Sequence, residues 1–377
     1  MKHINKIHFL FSLFLVLIFF SAKAQDSDKF WSKTSVSEKS AIKKIERKSI
    51  PTHFNVFELN LNSLKTNLVN APARKGKLTT SNIVLTFPTE NGELEKYQVF
   101  EAPIMEEGLQ KKYPTIKSYV GKGIDNPNSI VRFSVTSLGL HAMISQKSGE
   151  MLYIDPYTLN KETYITYTKK SLPVPEQFEC NVEEFSKSTN IKSSNTVAKT
   201  DNANDGILRT FRLAIATTGE YSQFHLNNQG ISPTATDAVK KTAVLSAIAA
   251  IITRVNGVYE RDVALTMILV ANNTNIIFLD PLTDNFTNND GSILINESQT
   301  VIDNIIGSTN YDIGHTFSTG GGGLAQLRSP CTSSKARGIT GLNSPIGDPY
   351  AIDYVAHEMG HQYGANHTFN TDAGGCG

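Results

Sequence analysis

What the chain lacks narrows its class before any motif is considered. Only Cys180, Cys331 and Cys376 occur among 377 residues, so a dense disulfide scaffold is excluded and the three cannot all pair within one chain. Thirty-six basic residues against 35 acidic ones give a net charge of +1, which excludes a nucleic-acid footprint and a polybasic membrane anchor. The run Gly320–Gly323 has neither a helix start directly behind it nor a Lys at phosphate-cradle spacing, and reads as a tight loop. Beyond residue 24 no stretch reads as apolar enough to span a bilayer.

The one long apolar run lies at the start. Lys2, His3 and Lys6 precede Phe9–Phe20, which only Ser12 interrupts. Twelve residues make about 18 Å of helix, short of a hydrocarbon core of about 30 Å. Ser21-Ala22-Lys23-Ala24 then presents small residues where a signal peptidase reads, so residues 1–24 are expected to be a signal peptide cleaved before Gln25. Its removal takes away Lys2, Lys6 and Lys23 and turns the net charge to −2. The expectation is an exported protein, secreted or at the cell surface, without a membrane anchor after cleavage.

Residues 25–182 are strand-like. Ile83–Phe87, Ile130–Val135, Leu140–Ser145 and Met151–Ile154 are β-prone apolar runs, punctuated by Pro88, Gly139 and Ser148-Gly149. No ligand cluster or nucleophile with its base stands out among them. Residues 183–206 are rich in Ser, Thr, Asn, Lys and Asp, and read as a protease-sensitive linker. A second domain, 207–377, then alternates. A strand at Thr210–Ala216 leads to a helix from Pro233 to Val255, with Ser232 as N-cap and Pro233 in the first helical position. A strand at Val263–Ala271, a helix at Ser298–Ile306 and a strand at Gly314–Ser318 complete an α/β layer.

The chemistry concentrates at Asp348–His367. Asp348 caps a predicted helix whose first turn holds Pro349, and Ile352, Val355, Ala356 and Met359 give it an apolar face. His357 and His361 are four apart and project from the same side, so that both imidazoles reach one Zn²⁺. Glu358 is placed to take a proton from zinc-bound water rather than to ligate. A helix continued to His367 would turn that side chain away. Gly364 tolerates positive φ, lets the helix stop, and brings His367 in as the third ligand, leaving the fourth position to water.

His-Glu-x-x-His-x-x-Gly-x-x-His is the metzincin signature. The pair Met359-Gly360 inside it resembles the reprolysin (adamalysin) branch, in the form exported by bacteria. Gly323, Leu324, Ala325, Gln326 and Leu327, followed by Cys331, resemble the reprolysin segment at the upper rim of the cleft. Thr368-Phe369 after the third histidine points instead toward the pappalysins. The resemblance covers residues 207–377, more loosely the region before it. It implies an α+β and α/β architecture: a β-rich pro-domain, then a metzincin-like catalytic domain with a twisted mixed sheet and an active-site helix. It implies a secreted zymogen of a zinc endopeptidase with one catalytic zinc and Glu358 as general base. Protein or peptide substrates would pair as an extended strand with residues 323–327.

Metzincins carry a Met-turn beyond the third histidine. The chain has no Met between His367 and Gly377, so it is expected to be a catalytic domain cut before that turn. Resemblance to reprolysins implies that Cys331 pairs with a cysteine nearer the catalytic domain's end. A Cys331–Cys376 bridge is the alternative, and both stay open. Cys180 is a candidate zymogen-switch thiol, although its neighbours match no usual switch motif. Asp280, Asp284, Asn288, Asn289 and Asp290 form an oxygen-rich run that offers Ca²⁺ ligands, but its spacing fits no defined calcium loop and a solvated loop is favoured. The competing reading of the whole is a zinc-binding fragment or binding module without turnover.

Overall fold

The computed structural model describes residues 30–38, 42–45, 47, 49–75, 80–146, 148–173 and 205–367. The signal peptide, Cys180, most of the linker, and the tail from Thr368 with Cys376 lie outside these residues.

The first half forms one antiparallel sheet. Its strands are β1 (Trp31–Thr34), β2 (Asn55–Leu59), β3 (Val84–Pro88), β4 (Leu94–Glu101), β5 (Lys117–Gly123), β6 (Ile130–Thr136), β7 (Gly139–Ser145), β8 (Met151–Pro156) and β9 (Thr163–Thr168), in the order β1-β2-β9-β8-β7-β6-β5-β4-β3. Two short helices accompany it, α1 (Leu61–Leu68) and α2 (Glu107–Lys112). One face buries Phe57, Phe87, Tyr97, Phe133 and Tyr164 in a core of its own. The apolar runs read at 130–135, 140–145 and 151–154 lie in these strands, as does all but Ile83 of the run read at 83–87.

The second half holds β10 (Arg209–Thr217), α3 (Gly219–Asn228), α4 (Asp237–Val263), β11 (Leu265–Leu269), α5 (Gly291–Ile306), β12 (Ile313–Ser318), β13 (Gly323–Ala325) and β14 (Gly338–Gly341). The sheet order is β11-β10-β12-β14-β13. Four strands run parallel, and β13 is antiparallel to β14 at one edge.

Several boundaries differ from the sequence reading. The long helix starts at Asp237, because Thr236 caps it by accepting from Val239 N, whereas Ser232 is used within the preceding turn by Thr234 N. It runs past Val255 to Val263 and ends at Ala264 in the left-handed region (φ 51°), which leaves only Leu265–Leu269 as strand. Helix α5 starts at Gly291 rather than Ser298, since Asp290 accepts from Ser292 N and Ile293 N. The expectation that nothing past residue 24 has the composition of a bilayer span is also corrected. Helix α4 is long and apolar enough, with 89% of its apolar window buried inside the protein.

That burial has a cause. One side of α4 packs on the smaller sheet through Val244, Ile248, Ile252 and Val255. The other side meets β6 and β7. A Cβ at Gly257 would lie 2.5 Å from Met143 Cε and 3.1 Å from Arg132 Cγ, so glycine there permits the approach. The two halves also share backbone and core. Leu269 N donates to Ile104 O and Glu106 N to Leu269 O, both at 2.8 Å, so residues 104–106 extend the β11 edge. Ile104, Met105, Leu109, Tyr113 and Ile116 enter the same apolar core as α4.

Charged groups lock this interface. Arg254 of α4 pairs with Asp155 of β8 at 2.6 Å, with both side chains almost wholly buried. Asp155 also accepts from Tyr167 Oη at 2.6 Å and faces Arg47 at 3.5 Å. Burial alone would raise its pKa, but Arg254 and Arg47 overcome this and hold it well below the ordinary carboxylate range. Glu260 receives Arg74 bidentately at 2.7 and 3.0 Å, with Arg132 at 3.6 Å. Asp155→Ala leaves two guanidinium groups without their buried counter-charge, and is expected to lower unfolding stability by about 3–5 kcal/mol in urea titration. A loss below about 1 kcal/mol, as for surface pairs, would refute the locking role.

Candidate metal centre

The stretch that carries the motif is helical from Pro349, but not as one α-helix. Pro349–Ala356 is wound as a π-helix and runs directly into α6 (His357–Gln362). Asp348 does not cap it; its side chain makes no capping bond, is fully buried, and lies 3.4 Å from Lys169 Nζ. Lys169, just past β9, also pairs with Asp353 inside the π-helical stretch. Tyr350, Ala351, Val355 and Met359 turn into the core shared with α4. Beneath the motif Tyr259 of α4 donates to Ala356 O at 2.7 Å, and its phenol is held protonated by burial and by the Glu358 carboxylate.

The chain leaves the helix where the sequence reading placed the break. Gly364 has φ +96°, and a Cβ there would lie 2.8 Å from Arg328 Cγ. The helix's terminal carbonyls are met from the segment behind β13. Ser329 N donates to Gln362 O at 2.9 Å and Arg328 N to His361 O at 3.4 Å. His367 returns to the other two histidines. Their Nε2 atoms form a triangle with sides of 3.0 Å (357–361), 3.1 Å (361–367) and 3.2 Å (357–367).

This donor set fits a zinc ion. Nitrogens placed tetrahedrally about 2.0–2.1 Å from one ion lie roughly 3.3 Å apart, close to the observed triangle. His361 Nδ1 is 2.8 Å from Ala365 O. A carbonyl only accepts, so the proton is on Nδ1 and Nε2 presents its lone pair to the triangle. Burial first, then the neighbouring imidazoles, push the His357 pKa down to about 4, and burial lowers that of His361. The rings are thereby kept neutral, the form that ligates. Among the described residues this is the one cluster of His, Cys, Asp or Glu arranged to hold a metal ion.

The other candidate residues separate. Glu358 follows the first histidine and is fully buried. The predicted strand 323–327 is shorter than expected. Gly323–Ala325 pair with Gly338–Thr340, Gln326 N adds one bond to Arg337 O at 2.8 Å, and Leu327 and Arg328 (φ 57°) turn away to reach the end of α6. Beyond β14, β13 pairs with no other strand among the described residues. Cys331 is exposed and unbridged within the described residues. The oxygen-rich run is engaged internally. Asp284 accepts from Gly219 N (2.5 Å) and Phe286 N (3.1 Å), Asn288 Oδ1 from Thr218 Oγ1 (2.9 Å) and Thr319 N (3.1 Å), and Asp290 caps α5. These oxygens fasten loops, so the structure gives no support to a calcium site there.

Residues 245–368 match the model of the metallo-peptidase family M12B, reprolysin-like. The matched segment runs from within α4 to the residue after His367, so it contains the whole histidine cluster and is similar to reprolysin-like zinc metallopeptidases. No curated protein matches the chain.

Sequence reading missed Tyr259 and also His315. The latter is fully buried on β12, its pKa lowered to about 4 by burial, with Gln362 partly opposing. A histidine whose folded pKa is depressed contributes stability fully present above its unfolded pKa of about 6.5 and lost as pH falls toward the folded value. His141 and His225, lowered by burial to about 4 and about 3, act in the same sense. Unfolding free energy, measured in urea at stepped pH, should therefore fall between about pH 6.5 and 4; a flat profile there would contradict neutral buried histidines. Gly364→Ala should cost about 1–3 kcal/mol through strained backbone and weaken zinc binding, as read by chelator competition.

Proposed function

We propose that the protein is an exported zinc endopeptidase that hydrolyses internal peptide bonds of protein substrates, with the N-terminal half as its pro-domain. The observation that carries this reading is the triangle of three Nε2 atoms within 3.2 Å of one another, two from a His-Glu-x-x-His helix and one from His367 beyond it. The similarity of residues 245–368 to reprolysin-like metallopeptidases supports it. His357, His361 and His367 hold the ion. When bound, zinc supplies Lewis acidity toward water and toward a peptide carbonyl. Glu358, beside the first ligand, takes the proton of the attacking water and delivers it to the leaving amine. The edge of β13 away from β14, which pairs with no other strand among the described residues, receives the substrate as an added antiparallel or parallel strand, which holds the scissile bond extended beside α6. Export rests on the sequence of residues 1–24.

The test uses the purified chain and its Glu358→Gln variant, with zinc content and casein hydrolysis measured together. Both should carry one zinc per chain, and the unchanged chain should cleave at least about a hundredfold faster than the variant, since loss of a general base typically costs 10²–10⁴-fold. Full activity in Glu358→Gln would remove the role of Glu358. Zinc in both without cleavage in either would favour the binding module.

A further inference from the structure

Gln362 follows the second histidine, at a position the spacing of the motif leaves open, and none of its side chain reaches solvent. The sheet engages it completely. Its Nε2 donates to Gly314 O at 2.9 Å and lies 3.4 Å from Ser329 Oγ and from Lys335 O. Gly314 O and Lys335 O can only accept, so the amide is oriented with Oε1 toward His315 Nδ1, 2.8 Å away. Oε1 in turn only accepts, which places the ring proton on Nδ1. His315 Nε2 is then an acceptor, and Thr340 Oγ1 donates to it at 2.8 Å. The outcome is one directed chain of bonds, from Thr340 on β14 through His315 on β12 to Gln362 on α6 and back to Gly314.

Thr340 also reaches the other end of the helical stretch, because its carbonyl accepts from Tyr350 Oη at 3.0 Å. Tyr350 and Gln362 bracket His357, Glu358 and His361, and both are tied to one residue of the sheet. Room for this is made at Gly338, where a Cβ would lie 2.4 Å from Gln362 Cδ and 2.6 Å from His315 Nδ1.

We infer that Gln362, His315 and Thr340 are a positioning relay that sets the rotation and axial register of the helix bearing His357 and His361, and so presets their nitrogens to meet that of His367 around the ion. The inference rests on reading those histidines as a metal centre. Apolar packing by Tyr350, Ala351, Val355 and Met359 fixes how deep the helix lies but tolerates sliding and rolling. Hydrogen bonds are directional and do not. The magnitudes show why this matters. Side-chain ends lie about 5–6 Å from a helix axis, so a roll of about 20° moves an imidazole nitrogen by about 2 Å. Metal–ligand distances tolerate only about 0.2 Å. His367, beyond the Gly364 break, does not share such a roll and would be left out of register.

The experiment compares the unchanged chain with Gln362→Met, Thr340→Val and Thr340→Ser. Three quantities are read: the zinc dissociation constant by chelator competition, the visible spectrum of the Co²⁺ form, and the urea midpoint of the metal-free form. Gln362→Met and Thr340→Val, close in size but without the relay's polar groups, should weaken zinc binding by about 10- to 100-fold and alter the cobalt spectrum. Thr340→Ser keeps the hydroxyl and should keep the affinity and spectrum of the unchanged chain. Unaltered zinc affinity and spectrum in a folded Gln362→Met would overturn the relay, as would a lowered urea midpoint with an unaltered spectrum, which marks a merely structural contact. An unchanged chain that binds neither zinc nor cobalt would instead overturn the metal-centre reading on which the inference rests.

Discussion

Both sheets depend on a 27-residue helix neither of whose faces can be left to water. A helix that is apolar nearly all round has to be covered all round, by membrane or by protein. In α4 the cover comes from the five-stranded sheet on one side and from β6 and β7 of the nine-stranded sheet on the other. The polar groups on that second side, Arg254 and Glu260, follow from the same constraint. They are admitted because each meets an opposite charge from the N-terminal half. Removing either partner of such a pair strands a buried charge, so the interface is specific as well as adhesive.

What could be read from the sequence follows from how local each determinant is. His357, Glu358, His361, Gly364 and His367 sit within eleven consecutive residues, and helix geometry alone brings the first three together. The break at Gly364 follows from the absence of a Cβ. Strands whose apolar runs end at Pro88 or Gly139 are equally local. The ends of α4 and α5 are not. Ser232-Pro233 carries the signature of a helix start, yet the backbone uses Ser232 in a turn and waits for Thr236. Arg254, Gly257 and Glu260, near and past the helix end read at Val255, meet partners that lie 99 residues or more away in sequence. Asp290 seemed one of five metal-type oxygens, whereas a helix N-terminus claims it first. Gln362, His315 and Thr340 were invisible for the same reason, being joined only by the sheet.

The two edges of the smaller sheet are treated differently, and this gives the centre its surroundings. Residues 104–106 pair with the β11 edge at Leu269, and the Asn256 amide takes Met267 N and O on that edge. The β13 edge lies beside α6, and its following turn supplies the amides that close the helix end. Of the two edges, the one with no further strand partner among the described residues is the one on the side of the histidines. A fold with both edges open would invite pairing away from the chemistry.

Ile104, Met105, Leu109, Tyr113 and Ile116 lie inside the apolar core that also holds α4, and this changes what a cut between Pro173 and Asp205 would mean. The two pieces would not resemble a lid and a vessel. They would be two polypeptides sharing one interior, as in an obligate heterodimer, and parting them would expose core rather than surface. Their separation would then be governed by an unfolding barrier rather than a dissociation constant, so scission and release would be distinct events in the protein's life.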